Sequence, residues 1–167
     1  YHPTRVQVYR FLSAHRLCYP KKGGTAMILA LAGNPNCGKT TVFNGYTGAR
    51  QHVGNYPGVT VDRKEGQFVF NGEPVTLVDL PGTYSLTAYS QEELVARREL
   101  AANNVQAVID VVDSSALERN LLLTVQMLEM GMPVVLACNM MDEARAAGIH
   151  IDMDRLSRML DIPVVPM

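Results

Sequence analysis

Eight consecutive residues, Gly33-Asn34-Pro35-Asn36-Cys37-Gly38-Lys39-Thr40, place two glycines, a lysine and a hydroxyl at the spacing of a phosphate-binding loop. The glycines let the backbone turn so that successive N–H groups converge on phosphate oxygens. Lys39 adds a positive charge and Thr40 offers a hydroxyl to Mg²⁺. The loop follows the apolar run from Met27 to Ala32 and precedes a segment predicted to be helical from Thr41, so a helix dipole stands behind it. Asn34, Pro35, Asn36, Cys37, Gly38, Lys39, Thr40 and Thr41 are the candidate phosphate contacts.

Two later motifs extend this chemistry. Asp79-Leu80-Pro81-Gly82 ends the apolar run Val75 to Val78, where Asp79 can hold a water of Mg²⁺ and the Gly82 N–H can meet a terminal phosphate. An Asp and a Gly three apart mark many plain turns, and only their position beyond Lys39 at the end of the next buried strand gives them weight. Further on, Asn139-Met140-Met141-Asp142 ends the run Val134 to Cys138. The Asp142 carboxylate can accept from both the ring N–H and the exocyclic amine of guanine, a pair of donors that adenine lacks. A site built around such hydrogen bonds rejects a base that leaves them unpaired. The same Asn139 and Asp142 could cap the helix that follows.

Stepping outward, β-branched apolar runs recur at Met27 to Ala32, Val75 to Val78, Val105 to Val112 and Val134 to Ala137, separated by helix-length segments or glycine-rich loops. That alternation predicts a parallel sheet with crossover helices. Val61 to Phe70, followed by Asn71-Gly72, predicts an antiparallel hairpin. Helices are expected at Thr41 to Tyr46, Gln91 to Ala102, Leu117 to Met130 and Met153 to Leu160, the last capped by Asp152. Leu117, Leu121, Val125 and Leu128 form one apolar stripe, read as core packing.

The chain has 167 residues and 47% apolar content, about one domain with enough length for a core. Charge is nearly balanced at 15 basic against 16 acidic residues, yet five of the basic residues and none of the acids precede Met27. The rest is acidic, which argues against nonspecific nucleic-acid binding. Cys18, Cys37 and Cys138 show no paired or metal-type spacing and suit a reducing, cytoplasmic compartment. No apolar stretch approaches the roughly 18 to 20 residues needed to span a bilayer. Residues 1–26 are read as an N-terminal extension or added leader before a natural start at Met27, although Val6, Tyr9, Phe11 and Leu12 could form a short amphipathic turn.

The three motifs, in this order, resemble the small GTP-binding proteins of the translation-factor class, in which Lys usually stands where this chain has Met140. Met140 can cover the base with its thioether but brings no charge, so nucleotide should be held more loosely and exchange quickly. Val53-Gly54-Asn55-Tyr56-Pro57-Gly58-Val59-Thr60-Val61, taken with the phosphate loop and Asn139 to Asp142, closely resembles the ferrous iron transport protein B family across nearly all of Met27 to Met167. The resemblance implies an α/β P-loop NTPase fold: a three-layer αβα sandwich around a mostly parallel sheet of six to seven strands, as in small GTPase G domains.

It further implies a cytoplasmic GTP-binding domain at residues 27–167, preceding helical and membrane domains of a bacterial inner-membrane Fe²⁺ carrier and working with small cytoplasmic accessory proteins. The fifth guanine-contact motif is expected to begin at Val164-Val165-Pro166-Met167. By the same resemblance Gly58, Val59 and Thr60 belong to the first switch, where Thr60 reaches Mg²⁺ and the γ-phosphate of GTP but not GDP. Asn36 resembles the asparagine that helps hold K⁺ beside the phosphates. Asn36, Lys39, Thr60 and Gly82 are thus the expected catalytic set.

Where Ras-like enzymes place a water-orienting glutamine, this chain has Thr83, then Tyr84, so hydrolysis should be slow, on the order of 10⁻³ s⁻¹ or below. A soluble ribosome-assembly or tRNA-modification GTPase shares the Asn-Pro-Asn loop but should carry a basic face and Lys at position 140. A nucleotide-gated binding module without useful catalysis is the other rival. His52 is read as an exposed loop residue and Cys37 as a position where only the backbone matters.

Overall fold

The structure is a computed structural model that describes residues 27–48, 51–70, 72–102 and 104–167. The expected leader, Cys18 and Asn71 lie outside the described residues. Seven strands form one sheet: β1 (Met27–Gly33), β2 (Gln51–Asn55), β3 (Asp62–Phe70), β4 (Glu73–Asp79), β5 (Ala107–Asp113), β6 (Val134–Asn139) and β7 (Val164–Pro166), in the order β2-β3-β4-β1-β5-β6-β7. Strands β4, β1, β5, β6 and β7 run parallel, while β3 is antiparallel to both β4 and β2. The expected hairpin is present, with Phe70 opposite Glu73.

Among the described residues five α-helices, α1 (Lys39–Thr47), α2 (Gln91–Ala101), α3 (Leu117–Glu129), α4 (Met141–Ala146) and α5 (Met153–Leu160), and one 3₁₀ turn at Ser114–Ala116 accompany the sheet. The central strands are apolar at successive positions because both faces are covered. On one face Leu29, Leu31, Leu77, Ile109 and Val135 pack with Phe43 and Tyr46 of α1. On the other, Ala30, Val78, Val108 and Leu136 pack with Ala96 and Leu100 of α2 and with Leu123 and Met127 of α3. This is the three-layer α/β sandwich, with the mostly parallel sheet in the middle.

Two expectations are corrected. The stripe Leu117, Leu121, Val125, Leu128 is not the buried face of α3: Val125 is 40% exposed and the other three only flank the core. The helix instead buries Asn120, Leu123, Thr124 and Met127. Its two polar members are tolerated because each is bonded. Asn120 donates to the Ala116 carbonyl at 2.8 Å, and the Thr124 hydroxyl donates to Asp110 at 2.6 Å. His52, expected in a loop, lies instead in a strand, since Gln51 to Asn55 pair with β3 as the sheet edge and only Tyr56 to Val61 remain a loop.

Candidate functional site

The phosphate loop runs from the end of β1 into α1, which begins at Lys39, two residues earlier than expected. Two residues take left-handed backbone, Asn36 at φ 66° and Gly38 at φ 89°. Asparagine is among the few side chains that adopt this conformation readily, and at position 38 a Cβ would stand 2.1 Å from the Asn139 amide nitrogen. Gly38 caps α1 without a side chain, its carbonyl accepting from the Thr41 and Val42 N–H groups at 3.1 and 3.2 Å, so only the N–H groups ahead of Thr41 have no helical carbonyl to meet.

Around this turn lies a cleft of ≈ 470 Å³ lined by Asn34, Pro35, Asn36, Gly38, Lys39 and Thr40, with Gly82 opposite. Both polar atoms of the Asn34 amide are buried with no hydrogen-bond partner. An unsatisfied buried amide beside a cleft of backbone donors and one lysine fits an anionic ligand with several oxygens. Thr41 is exposed in the next position of α1 and does not line the cleft. Cys37 contributes backbone only, because its side chain is 1% exposed within the core below α1. Burial pushes its thiol up to about 11, so the sulfur stays protonated and unreactive.

The second motif closes the opposite wall. Leu80 N–H donates to the Leu31 carbonyl at 2.9 Å and Thr83 N–H to the Gly33 carbonyl at 3.3 Å, tying the turn after β4 to β1. A Cβ at Gly82 would lie 3.4 Å from the Pro35 backbone, so the turn approaches the loop closely. Lys39 Nζ forms an ion pair with Asp79 Oδ1, both side chains being largely buried. Charge from the loop and the acid from β4 therefore already meet across the cleft. Thr83 is buried, and the neighbouring Tyr84 ring lies 5.2 Å from the Arg119 guanidinium. Neither stands as a polar group in the cleft lining.

Beyond Tyr84 the chain is fixed by Glu93. Its carboxylate accepts from Ser85 and Thr87 hydroxyls and from the Tyr89 N–H, while its own N–H donates to the Ser90 hydroxyl that caps α2. The Ser85 hydrogen bond leads in holding this carboxyl below its usual range.

The third motif reaches the loop through a contact that spacing could not reveal. The Asn139 amide donates to the Cys37 carbonyl at 2.9 Å, across 102 residues of sequence. Met140 follows in left-handed backbone at φ 58° and caps α4 without a side-chain hydrogen bond. Asp142 lies exposed in the first turn of α4, with Glu143 beside it. Neither Asn139 nor Asp142 caps the helix through its side chain. Beside β6, Met167 N–H donates to the Cys138 carbonyl at 2.9 Å.

The residues expected to form the first switch sit apart. Tyr56-Pro57-Gly58-Val59 form a tight turn closed by Val59 N–H to the Tyr56 carbonyl at 3.3 Å, with Gly58 at φ 77°, as a Pro-Gly type II turn requires. Thr60 is exposed and lies outside the cleft lining. His52 is exposed on the edge strand.

Comparison with known proteins gives a consistent picture. The family model "Ferrous iron transport protein B" matches residues 27–167. The Fe(2+) transporter FeoB of Salmonella typhimurium is 53% identical over 145 residues, covering 84% of this chain and 19% of the relative. A fusion of Fe(2+) transport protein A with Fe(2+) transporter FeoB from Porphyromonas gingivalis is 52% identical over 147 residues, covering 87% of this chain and 17% of the fusion. The chain therefore spans about a fifth of the length of the curated relatives it matches. Among solved structures, a mutant of S. thermophilus NFeoB bound to mGDP superimposes with a TM-score of 0.81 at 47% identity, covering 86% of this chain and 55% of that one. The G domain of T. maritima FeoB gives 0.79 at 45% identity, covering 86% and 87%.

Proposed function

The chain belongs to the ferrous iron transport protein B family, and from that footing we propose that residues 27–167 bind GTP and GDP, hydrolyse GTP slowly, and report the nucleotide state to a ferrous-iron permease in the same polypeptide. The observation that carries the nucleotide reading is the convergence of three motifs on the phosphate loop, with Lys39 meeting Asp79 and Asn139 bonded to the loop backbone at Cys37. The GDP bound in a mutant of the S. thermophilus FeoB G domain, 48% identical to this chain, supports the same ligand class. This reading places the domain at the cytoplasmic face of a membrane. No helix among the described residues is itself long and apolar enough to cross one.

In this proposal the N–H groups at the start of α1 and the Asn34 amide bind phosphate oxygens, and Lys39 exchanges its Asp79 partner for the β- and γ-phosphates. Asp79, once released from Lys39, would hold Mg²⁺ together with Thr40 and Thr60, and the ion would supply positive charge against the charge developing between the phosphates. Gly82 N–H contacts the γ-phosphate. Asp142 reads guanine, and Met140 covers the base through van der Waals contact alone, which favours rapid exchange. Asn36, already in left-handed backbone, would help hold K⁺ beside the phosphates through its amide. Water is left without a side chain to orient it, because Thr83 is buried.

Phosphate release tests the enzymatic part. Multiple turnover in potassium, on the order of 10⁻³ s⁻¹ or below, and slower turnover in sodium are expected. Asn36→Gly keeps the left-handed backbone without the amide and should erase the difference between the two ions. No turnover in either salt would leave a binding module, and equal rates in both for the unaltered chain would remove the role given to Asn36.

A further inference from the structure

Tyr56 begins the loop that carries Thr60, and it is the loop's one large side chain inside the protein, 5% exposed. Its N–H donates to the Val61 carbonyl at 2.9 Å, so the ring lies at the neck where the loop leaves the sheet. The Arg63 guanidinium sits 5.7 Å from the ring centroid. Arg63 in turn pairs with Glu65 on its own strand at 2.5 Å and with Glu99 of α2 at 3.6 Å. The Tyr56 hydroxyl is buried without a hydrogen-bond partner, and burial, then the nearby Glu99 charge, pushes its pKa upward. A ring, a cation and an acid from three separate segments therefore hold the neck of the loop against α2, the helix that follows Gly82.

We propose that Tyr56, Arg63 and Glu99 form a latch that holds the first-switch loop with Thr60 away from the phosphate cleft, and so sets the preference of the domain for nucleoside diphosphate over triphosphate. The inference rests on the guanine-nucleotide reading above. Thr60 is exposed and outside the cleft lining while Tyr56 is seated, and in this proposal the loop swings about its neck to bring Thr60 to a γ-phosphate. The diphosphate makes no demand on Thr60. A ligand shifts such an equilibrium only through a difference in affinity for the two positions, so weakening the seated position favours the triphosphate alone. The Arg63 to Glu99 contact also joins the neck of the first switch to α2, which Ser90 and Glu93 anchor at the end of the segment that follows Gly82. None of these three residues lines the cleft.

The test measures affinities of the 167-residue chain for GDP and for a non-hydrolysable GTP analogue, with magnesium, in Glu99→Gln, Tyr56→Ala and the double variant. Each single change should raise the affinity for the triphosphate analogue by about 3- to 30-fold, the size set by losing one partly buried cation–aromatic or ionic contact. GDP affinity should stay within about twofold, because that ligand is indifferent to the loop position. The double variant should exceed the larger single effect little, since both changes open the same latch. Tyr56→Phe keeps the ring and should behave as the unaltered chain. A merely structural role would weaken both nucleotides together, and that result, or an unchanged ratio, would overturn the latch. Failure of the unaltered chain to bind either nucleotide would instead overturn the reading on which it rests.

Discussion

Asn139 donates its side-chain amide to the backbone carbonyl of Cys37 at 2.9 Å, joining the end of β6 to the bend of the phosphate loop. The same nitrogen occupies the space a Cβ at Gly38 would need. The proposed base-side and phosphate-side contacts are therefore tied directly to each other. Asn139→Ala should leave the Cys37 carbonyl without its partner, cost about 1 to 3 kcal/mol of fold stability, and weaken GDP by at least about tenfold. Urea unfolding and nucleotide titration on the same samples check both. Full GDP affinity in Asn139→Ala would show that the tie is dispensable.

Lys39 and Asp79 make separable contributions to folding and binding. Lys39→Met strands the Asp79 carboxylate, 9% exposed, without its counter-charge, and should cost about 3 kcal/mol in urea unfolding as well as abolish nucleotide binding. Adding Asp79→Asn should restore much of the stability, because no buried charge is then unpaired, yet binding should stay lost. Recovery of binding in the double variant would contradict the role given to the lysine.

Asp110 makes stability depend on pH. It sits fully buried in β5, its Oδ2 accepting from the Thr124 hydroxyl and its Oδ1 bonded to nothing, and burial raises its pKa from 3.8 to about 7. Between those values the folded chain keeps a proton that the unfolded chain has released. Stability from this group is thus complete below about pH 4, falls as pH rises toward 7, and is flat beyond. Asp110→Asn keeps an acceptor for Thr124 and carries no charge. Its advantage over the unaltered chain should grow to about 2 to 4 kcal/mol at pH 8 and vanish near pH 4, read from urea midpoints at each pH. An equal difference at both pH values would refute the burial argument.

Much of this molecule was legible in its sequence, and the exceptions have physical causes. The phosphate loop, the strand from Val75 and the helix capped by Asp152 were readable because they rest on local rules: glycine geometry, apolar runs and caps. The edge strand Gln51–Asn55 was not. Its residues are mostly exposed, so no burial pattern marks them, and only pairing with β3 makes them a strand. The buried face of α3 misled because Asn120 and Thr124 look like surface residues until their partners at Ala116 and Asp110 are seen. The Asn139 to Cys37 bond and the Tyr56–Arg63–Glu99 cluster join distant segments, and no spacing within one segment encodes them. By contrast, the family signature at Val53 to Val61 was legible without any physical derivation of what its residues touch.

Calorimetric titration with magnesium present tests the central claim most directly. GDP and a GTP analogue should each bind at one site per chain, and a large excess of ATP should leave both isotherms unchanged, because adenine cannot offer Asp142 its pair of donors. Absence of heat with either guanine nucleotide, or equal competition by ATP, would contradict the account.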